Sequence, residues 1–436
     1  MWFSTRIIEA ISITSDTTIT AYATKEGMKD SAKTTATYTV RKLTGISITP
    51  PTRTVYSVGE EFAPTDMVVT ATYDDESSRE VTVWTTNFDE VTSEKGVNKT
   101  VAVSYTEGDN AVTATFTVDV ASYQFTETVQ DVDSSYTGTM SGGTYKKFGD
   151  WPQTIKAADV IVEETKSRQM GMFTYYFGSD GNYYVKAAEK AYGSGSAYKY
   201  SNKNQVKQGG TSTQWFKVEP IVWRVLTEDY KVPGENEEPQ STKKALLLAE
   251  NILTGGIQWD DSKNNYMESN IRKWLNGNSS GTFESYYNGD AGFLQTAFTP
   301  GAQGLITSTS VDNSARSTNP DSNGELLNSP FACGDTEDKI FLLSEQEAST
   351  EGYGFAAYDV WGKTRIRVTT DYAKATGAYQ DSEAGYGGEW WLRSPRYSPD
   401  YVVYDIPSIG FAGGSSNVDF NDLGVVPALS ISINGN

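Results

Sequence analysis

Histidine is absent from this chain of 436 residues. That removes the Ser-His-Asp and Cys-His catalytic arrangements, the histidine-liganded zinc and iron sites, and the commonest general base near neutral pH. Cysteine occurs once, as Cys333, so no disulfide can form within the chain and no CxxC metal motif exists. No apolar run approaches the ~20 residues needed to span a bilayer. Basic residues are in deficit, 36 against 56 acidic ones, and the formal charge of -20 repels phosphate backbones. Nucleic acid is therefore not an expected partner.

What is abundant is aromatic. Aromatic residues make up 12% of the chain and hydrophobic residues 37%, a balance that favours strands over helical bundles. The length predicts two to four domains at a prior of roughly 100–200 residues each. Residues 7–40 alternate apolar and polar side chains in three short runs around Ile11–Thr14, Thr18–Thr24 and Thr35–Val40, a half-buried strand pattern too small to close a sandwich. Residues 43–120 repeat that pattern in six runs, at Gly45–Ile48, Thr54–Tyr56, Val68–Tyr73, Val81–Val83, Val101–Tyr105 and Ala114–Val118, with turn signals between them. Residues 122–143, rich in Thr, Ser, Asp and Gly, read as a linker.

From residue 144 onward the pattern is mixed α and β. Trp215–Leu226 reads as a strand pair and Ala245–Ala249 as a central strand. Asn265–Gly277 reads as a helix with Met267, Ile271, Trp274 and Leu275 on one face and Gly277 as its C-cap; a second helix is expected from Phe283 to Phe298. Lys339–Leu343 reads as a buried strand, followed by a capping box at Ser344-Glu345-Gln346-Glu347. Long insertions at 178–213, 254–265 and 300–335 are expected to be functional or irregular, and the first carries Tyr183, Tyr184, Tyr192, Tyr198 and Tyr200.

Several of these stretches resemble known families. Residues 1–41 resemble the last part of a small immunoglobulin-like module, and 42–121, through Tyr56-Ser57-Val58-Gly59-Glu60 and Ala71-Thr72-Tyr73-Asp74-Asp75, resemble bacterial immunoglobulin-like surface domains. In residues 144–436 the blocks Phe148–Thr154, Glu268–Asn276, Phe341–Ser344, Trp390–Pro395 and Gly424–Leu429 look like an uncharacterised bacterial domain family. The Trp-Trp-Arg block and the closing Gly-Val-Val-Pro-Ala-Leu are similar to the ending of C-type-lectin folds of the formylglycine-generating-enzyme kind. The fold class these resemblances imply is multi-domain, with immunoglobulin-like sandwiches followed by an α+β lectin-like domain. They also imply a bacterial surface or secreted protein whose export signal lies upstream of this chain, because Met1–Ile8 is too short to be one.

The expected function is binding of a protein or glycan ligand on another surface. Tyr, Ser, Asn and Gly dominate 396–422, as in adaptable binding loops, and the candidate ligand-binding residues are Arg396, Tyr397, Ser398, Asp400, Tyr401, Tyr404, Asp405, Ser408, Phe411, Asn417 and Asp419. The stretch also lacks Trp, Met, Lys, Glu and Gln, an absence that either retroelement diversification of pyrimidine-ending codons or ordinary loop composition would produce. Trp390 and Trp391 are expected to anchor the core, and Arg393 to pair with a carboxylate. No catalytic residue is assigned. Formylglycine-generating chemistry relies on a cysteine pair, whereas Cys333 stands alone among Asp335, Glu337 and Asp338, whose charge is expected to raise its pKa. A carboxylate-based glycoside hydrolase and a structural surface-layer component are the alternatives. No cofactor is expected, with calcium as a candidate at 417–422 and 335–338 on the strength of their hard oxygen ligands.

Overall fold

The structure, a computed structural model, describes residues 11–64, 66–192, 198–231, 243–277, 291–318, 333–358, 360–383, 385–396 and 399–433. It divides into two compact units, Met1–Val120 and Ala121–Asn436.

In the first unit, Thr17–Ala21 and Thr34–Tyr38 pair as an exposed antiparallel ribbon. Two strands stand where three were expected, because Ile11–Thr14 forms none. The rest is built from two sheets. One orders Leu43–Thr49, Val68–Tyr73 and Ser78–Glu80; the other orders Val55–Ser57, Asn110–Ala121, Gly96–Glu107 and Thr85–Thr86. Strict alternation makes this possible: in Val68–Tyr73 every second side chain, Val69, Ala71 and Tyr73, is buried. Those residues join Val101, Val103, Phe116 and Val118 in one core, where Tyr56 meets Phe88 edge to face at 4.8 Å between centroids. The strand expected at Val81–Val83 falls instead at Ser78–Glu80, directly after the expected turn at Asp74–Ser77, with Ser78 opposite Thr72 and Glu80 opposite Thr70.

The second unit is organised on an antiparallel sheet of ten strands among the described residues. Its spine is Thr213–Thr227, 15 residues long, one strand where two were expected. It pairs with Tyr145–Ile155, Tyr183–Ala188 and Lys243–Ala249, and the last pairs in turn with Ala428–Ile433. The apolar run Ala245–Ala249 is buried throughout, as expected of a central strand. Val162–Met170 and Phe173–Gly178 extend the sheet at one side. A separate three-stranded sheet joins Trp390–Pro395, Val402–Ile406 and Gly414–Asn417.

Three expectations are corrected here. Residues 122–143 are not simply a linker: Tyr123 and Thr126 are buried and donate to the Asp150 carboxylate at 2.5 and 2.9 Å, and Gln130–Asp131 pairs with Tyr145–Ile155. The helix begins at Asn270, not Asn265, because Ser269 caps it with its hydroxyl accepting from the Arg272 amide at 3.3 Å; Met267 lies in a preceding 3-10 turn and is exposed. The second helix covers Phe293–Ala297 only; the part expected at 283–290 lies outside the described residues.

The tryptophan block is frame. Trp390 and Trp391 are both fully buried, with indole nitrogens donating to the carbonyls of Arg365 and Ile257, each at 3.1 Å. Arg393 pairs with Glu347 at 2.5 Å, both side chains buried. Glu347 also closes a reciprocal capping box, its carboxylate accepting from the Ser344 amide at 2.8 Å while its own amide donates to the Ser344 hydroxyl at 3.0 Å.

Candidate functional site

A cavity of about 690 Å³ opens within the second unit. Its apolar wall comes from side chains far apart in the chain. Trp151 sits on Tyr145–Ile155, where the pairing with Thr213–Thr227 slips in register, and its indole nitrogen is tied to the Leu253 carbonyl at 3.0 Å. Phe173 follows a tight turn at Gly171, and its ring lies 5.0 Å from Trp151. Trp274, from the helix Asn270–Asn276, meets Trp151 edge to face at 6.1 Å and 87°. Tyr372, from the helix Asp371–Thr376, does so at 6.2 Å and 84°. Edge-to-face pairs of this kind are worth about 0.5–1.5 kcal/mol each beyond area burial, so they help hold this wall together.

Small residues also line the cavity. Thr254, Gly255, Gly256, Ala187, Ala188 and Ala191 bring backbone to the cavity surface. At Gly255 a β-carbon would fall 2.1 Å from the Ala378 amide nitrogen, and Gly256 has φ +73 with its β-carbon position 2.6 Å from the Thr376 carbonyl, so neither position accepts a side chain without rearrangement. Thr376 holds this corner, its hydroxyl accepting from the Gly255 amide at 2.9 Å. The arm carrying Lys190 is fixed by its amide donating to the Ala375 carbonyl at 2.7 Å.

Lys190, Tyr192, Asn421 and Asp422 add polar groups of both charge signs to the lining, and the Asn421 carbonyl accepts from the Gly256 amide at 3.1 Å. Tyr372 is 7% exposed, yet its hydroxyl makes no hydrogen bond with any described residue. Burial raises its pKa, so it stays protonated as a donor. Burial likewise raises the Asp422 carboxyl, whose Oδ1 is enclosed and unpartnered.

The residues expected to form the site are divided by the structure. Arg396 is exposed and donates to the Ser415 hydroxyl at 3.1 Å; Asp400 is partly buried and pairs with Lys263; Tyr401 is 46% exposed. Asn417 and Phe411 are half-buried and Asp419 is exposed. Tyr404, Asp405 and Ser408 are buried at 9%, 3% and 7%, so they belong to the frame and not to an exposed binding loop. The reason is strand pairing: Val402–Ile406 is the central strand of its small sheet, with Tyr404 opposite Ser415 and Asp405 opposite Gly414. Tyr397 and Ser398 lie outside the described residues. The far end of the stretch does reach the cavity, through Asn421 and Asp422.

The tyrosine-rich insertion splits the same way. Tyr183, Tyr184, Tyr198 and Tyr200 are core, while Tyr192 is 38% exposed and lines the cavity. Trp151, Phe173, Trp274 and Tyr372 were not foreseen as site residues. Trp151 and Trp274 lie in the ordered blocks that carried the family resemblance, and the Gly255-Gly256 doublet was the one local sign of close backbone approach.

Elsewhere the acidic run at 335–338 is committed to protein partners. Asp338 accepts from Arg272 at 2.8 Å and Asp335 from the Asn313 amide at 3.3 Å. Among the described residues no group of three or more Cys, Asp or Glu side chains could hold a metal ion. The Cys333 thiol is raised chiefly by burial.

Two family models match. Residues 242–433 match a domain of unknown function, DUF6273. Residues 49–120 match the bacterial Ig-like domain, group 3, and so place the two-sheet core of the first unit. The DUF6273 match contains Trp274, Tyr372, the Gly255-Gly256 corner and Asp422, whereas Trp151, Phe173 and the 187–192 arm lie before it. No curated protein and no solved structure matches the chain. Among the described residues no helix is long and apolar enough to cross a membrane.

Proposed function

We propose that the second unit binds a glycan in the aromatic-walled cavity, and that the chain is a bacterial surface or secreted binding protein in which the immunoglobulin-like unit acts as a spacer. The observation that carries this reading is the cavity itself, lined by Trp151, Phe173, Trp274 and Tyr372 together with small residues and a few polar groups. A sugar ring is amphipathic in the same sense, apolar on its faces and polar at its edges. The volume of about 690 Å³ lies inside the range of about 300–1,000 Å³ typical of small-molecule sites. Tyr372 supplies a hydroxyl that no described residue hydrogen-bonds, which a ligand hydroxyl would satisfy.

Binding is favoured over hydrolysis because Asp422 is the one carboxylate among the described lining residues, and glycoside hydrolysis uses a flanking pair. The fold we assign to the second unit is lectin-like, on the strength of the Trp390–Pro395 strand and the closing strand Ala428–Ile433 that pairs into the main sheet. The bacterial Ig-like match supports the surface location. The reading is tested by titrating a glycan panel against the protein while following tryptophan fluorescence. Trp151 and Trp274 line the cavity, so a bound sugar shifts their emission, saturably, with one site per chain. A panel that gives no saturable change and no heat of binding contradicts the reading.

A further inference from the structure

The polar side chains that line the cavity differ in what they leave for a ligand to meet. Lys190 and Asn421 are exposed, Tyr192 is 38% exposed and Asp422 is half-buried, so solvent reaches these four. Thr254 and Tyr372 are more than nine-tenths buried. The Thr254 hydroxyl is spent, donating to the Gly255 carbonyl at 3.2 Å. Thr376 is spent as well, accepting from the Gly255 amide at 2.9 Å and donating to the Tyr372 carbonyl at 3.1 Å. The Tyr372 hydroxyl is different. No described residue hydrogen-bonds it, and its oxygen is not among the enclosed, unpartnered polar atoms, so it keeps accessible surface on a side chain that lines the cavity.

The surroundings of that phenol are aromatic. Its ring meets Trp151, Phe173 and Phe216 at 6.2, 5.8 and 5.5 Å between centroids, each at 80° or more. Trp151 and Phe173 line the cavity with it, and the Trp151 indole nitrogen is already committed to the Leu253 carbonyl. Burial raises the Tyr372 pKa, so the hydroxyl keeps its proton and donates. The cavity thus presents a hydrogen-bond donor set among apolar rings. A group that complements it carries an acceptor and is otherwise apolar.

That requirement sorts the groups a sugar bears. A ring hydroxyl accepts from Tyr372 but turns its own hydrogen toward aromatic carbon. A carboxylate brings a net charge that apolar rings do not solvate, and an ammonium has no lone pair with which to accept. A methyl group alone leaves the phenol unpaired. An acetamido group meets both demands, because its carbonyl has lone pairs and no hydrogen while its methyl is apolar.

We infer that the cavity selects an N-acetylated sugar, whose acetamido carbonyl accepts from the Tyr372 hydroxyl while the methyl packs against Trp151 and Phe173. This rests on the glycan-binding reading above and names the ligand class of that same site.

The test compares, by calorimetry, the β-1,4 trisaccharide of N-acetylglucosamine with the β-1,4 trisaccharide of glucose, which differ only in the substituent at carbon 2. Wild-type protein is expected to bind the N-acetylated form at least tenfold more tightly, a comparison that needs no variant to fold. Tyr372→Phe lowers affinity for the N-acetylated form several-fold and leaves affinity for the glucose form unchanged, with thermal melting confirming that the variant is folded. Equal wild-type affinity for the two trisaccharides, or a preference that Tyr372→Phe leaves at full size, overturns the inference and leaves the glycan reading standing. Binding of another glycan but of neither trisaccharide does the same. Binding of no glycan at all overturns both.

Discussion

Trp151 and Tyr372 stand near-perpendicular in the cavity lining, centroids 6.2 Å apart, and among the described residues only one of their two polar atoms finds a partner: the indole nitrogen reaches the Leu253 carbonyl, while the phenol hydroxyl reaches no described residue. That asymmetry separates structure from function. Tyr372→Phe removes no protein hydrogen bond, so thermal stability is expected to stay within about 0.5 kcal/mol of wild type. Glycan affinity falls several-fold, the loss of one neutral hydrogen bond worth about 1 kcal/mol. Paired melting curves and calorimetry check both halves.

Tyr401 and Tyr404, three residues apart, are expected to respond in opposite ways. Tyr404→Ala empties a buried position on a central strand and costs about 3–5 kcal/mol. Tyr401→Ala alters an exposed side chain and changes stability by less than about 0.5 kcal/mol. Chemical denaturation of the two variants distinguishes them.

The Glu347–Arg393 pair governs part of the acid limb. Burial opposes the Glu347 charge, but Arg393 and the hydrogen bonds from Ser344 and Tyr230 hold its pKa below the usual 4.5. A carboxyl lowered on folding stabilises the protein above its unfolded pKa, and the contribution is lost as pH falls through the folded value. Arg393→Met leaves the carboxylate buried without its cation, costing about 3–5 kcal/mol at neutral pH. The deficit is expected to shrink on acidification, as Glu347 takes up a proton and no longer needs the guanidinium.

Asp405 acts with the opposite sign. Burial, with the charges of Glu389 and Asp422 adding to it, raises its pKa from 3.8 to about 7, although the Ser416 hydrogen bond works against the shift. The folded state therefore holds a proton that the unfolded chain has already released, and stability falls as pH rises from about 4 to about 7. Asp405→Asn is expected to flatten that slope and to raise the melting temperature at neutral pH. Melting curves taken across that interval decide it.

Much of the frame was legible in the chain. Alternation located Val68–Tyr73, an unbroken apolar run located the central strand at Lys243–Ala249, and the Ser-x-x-Glu spacing located the capping box that Glu347 closes. These are local signals, decided within a few residues. The cavity is not local: Trp151, Trp274 and Tyr372 meet only after the sheet is assembled, and each taken alone reads as a core aromatic. The polar stretch from 396 misled for a related reason, since composition cannot show that Val402–Ile406 is covered on both edges by its neighbours.

The central claim is that the cavity is the binding site, and a substitution that fills it tests that most directly. Ala191 lines the cavity without being fully buried, so Ala191→Trp occupies its space while leaving the core intact. Calorimetry with the glycan that binds wild-type protein is expected to show affinity reduced at least a hundredfold, with the melting temperature unchanged. Undiminished affinity in a folded Ala191→Trp protein would place the site elsewhere and contradict the account.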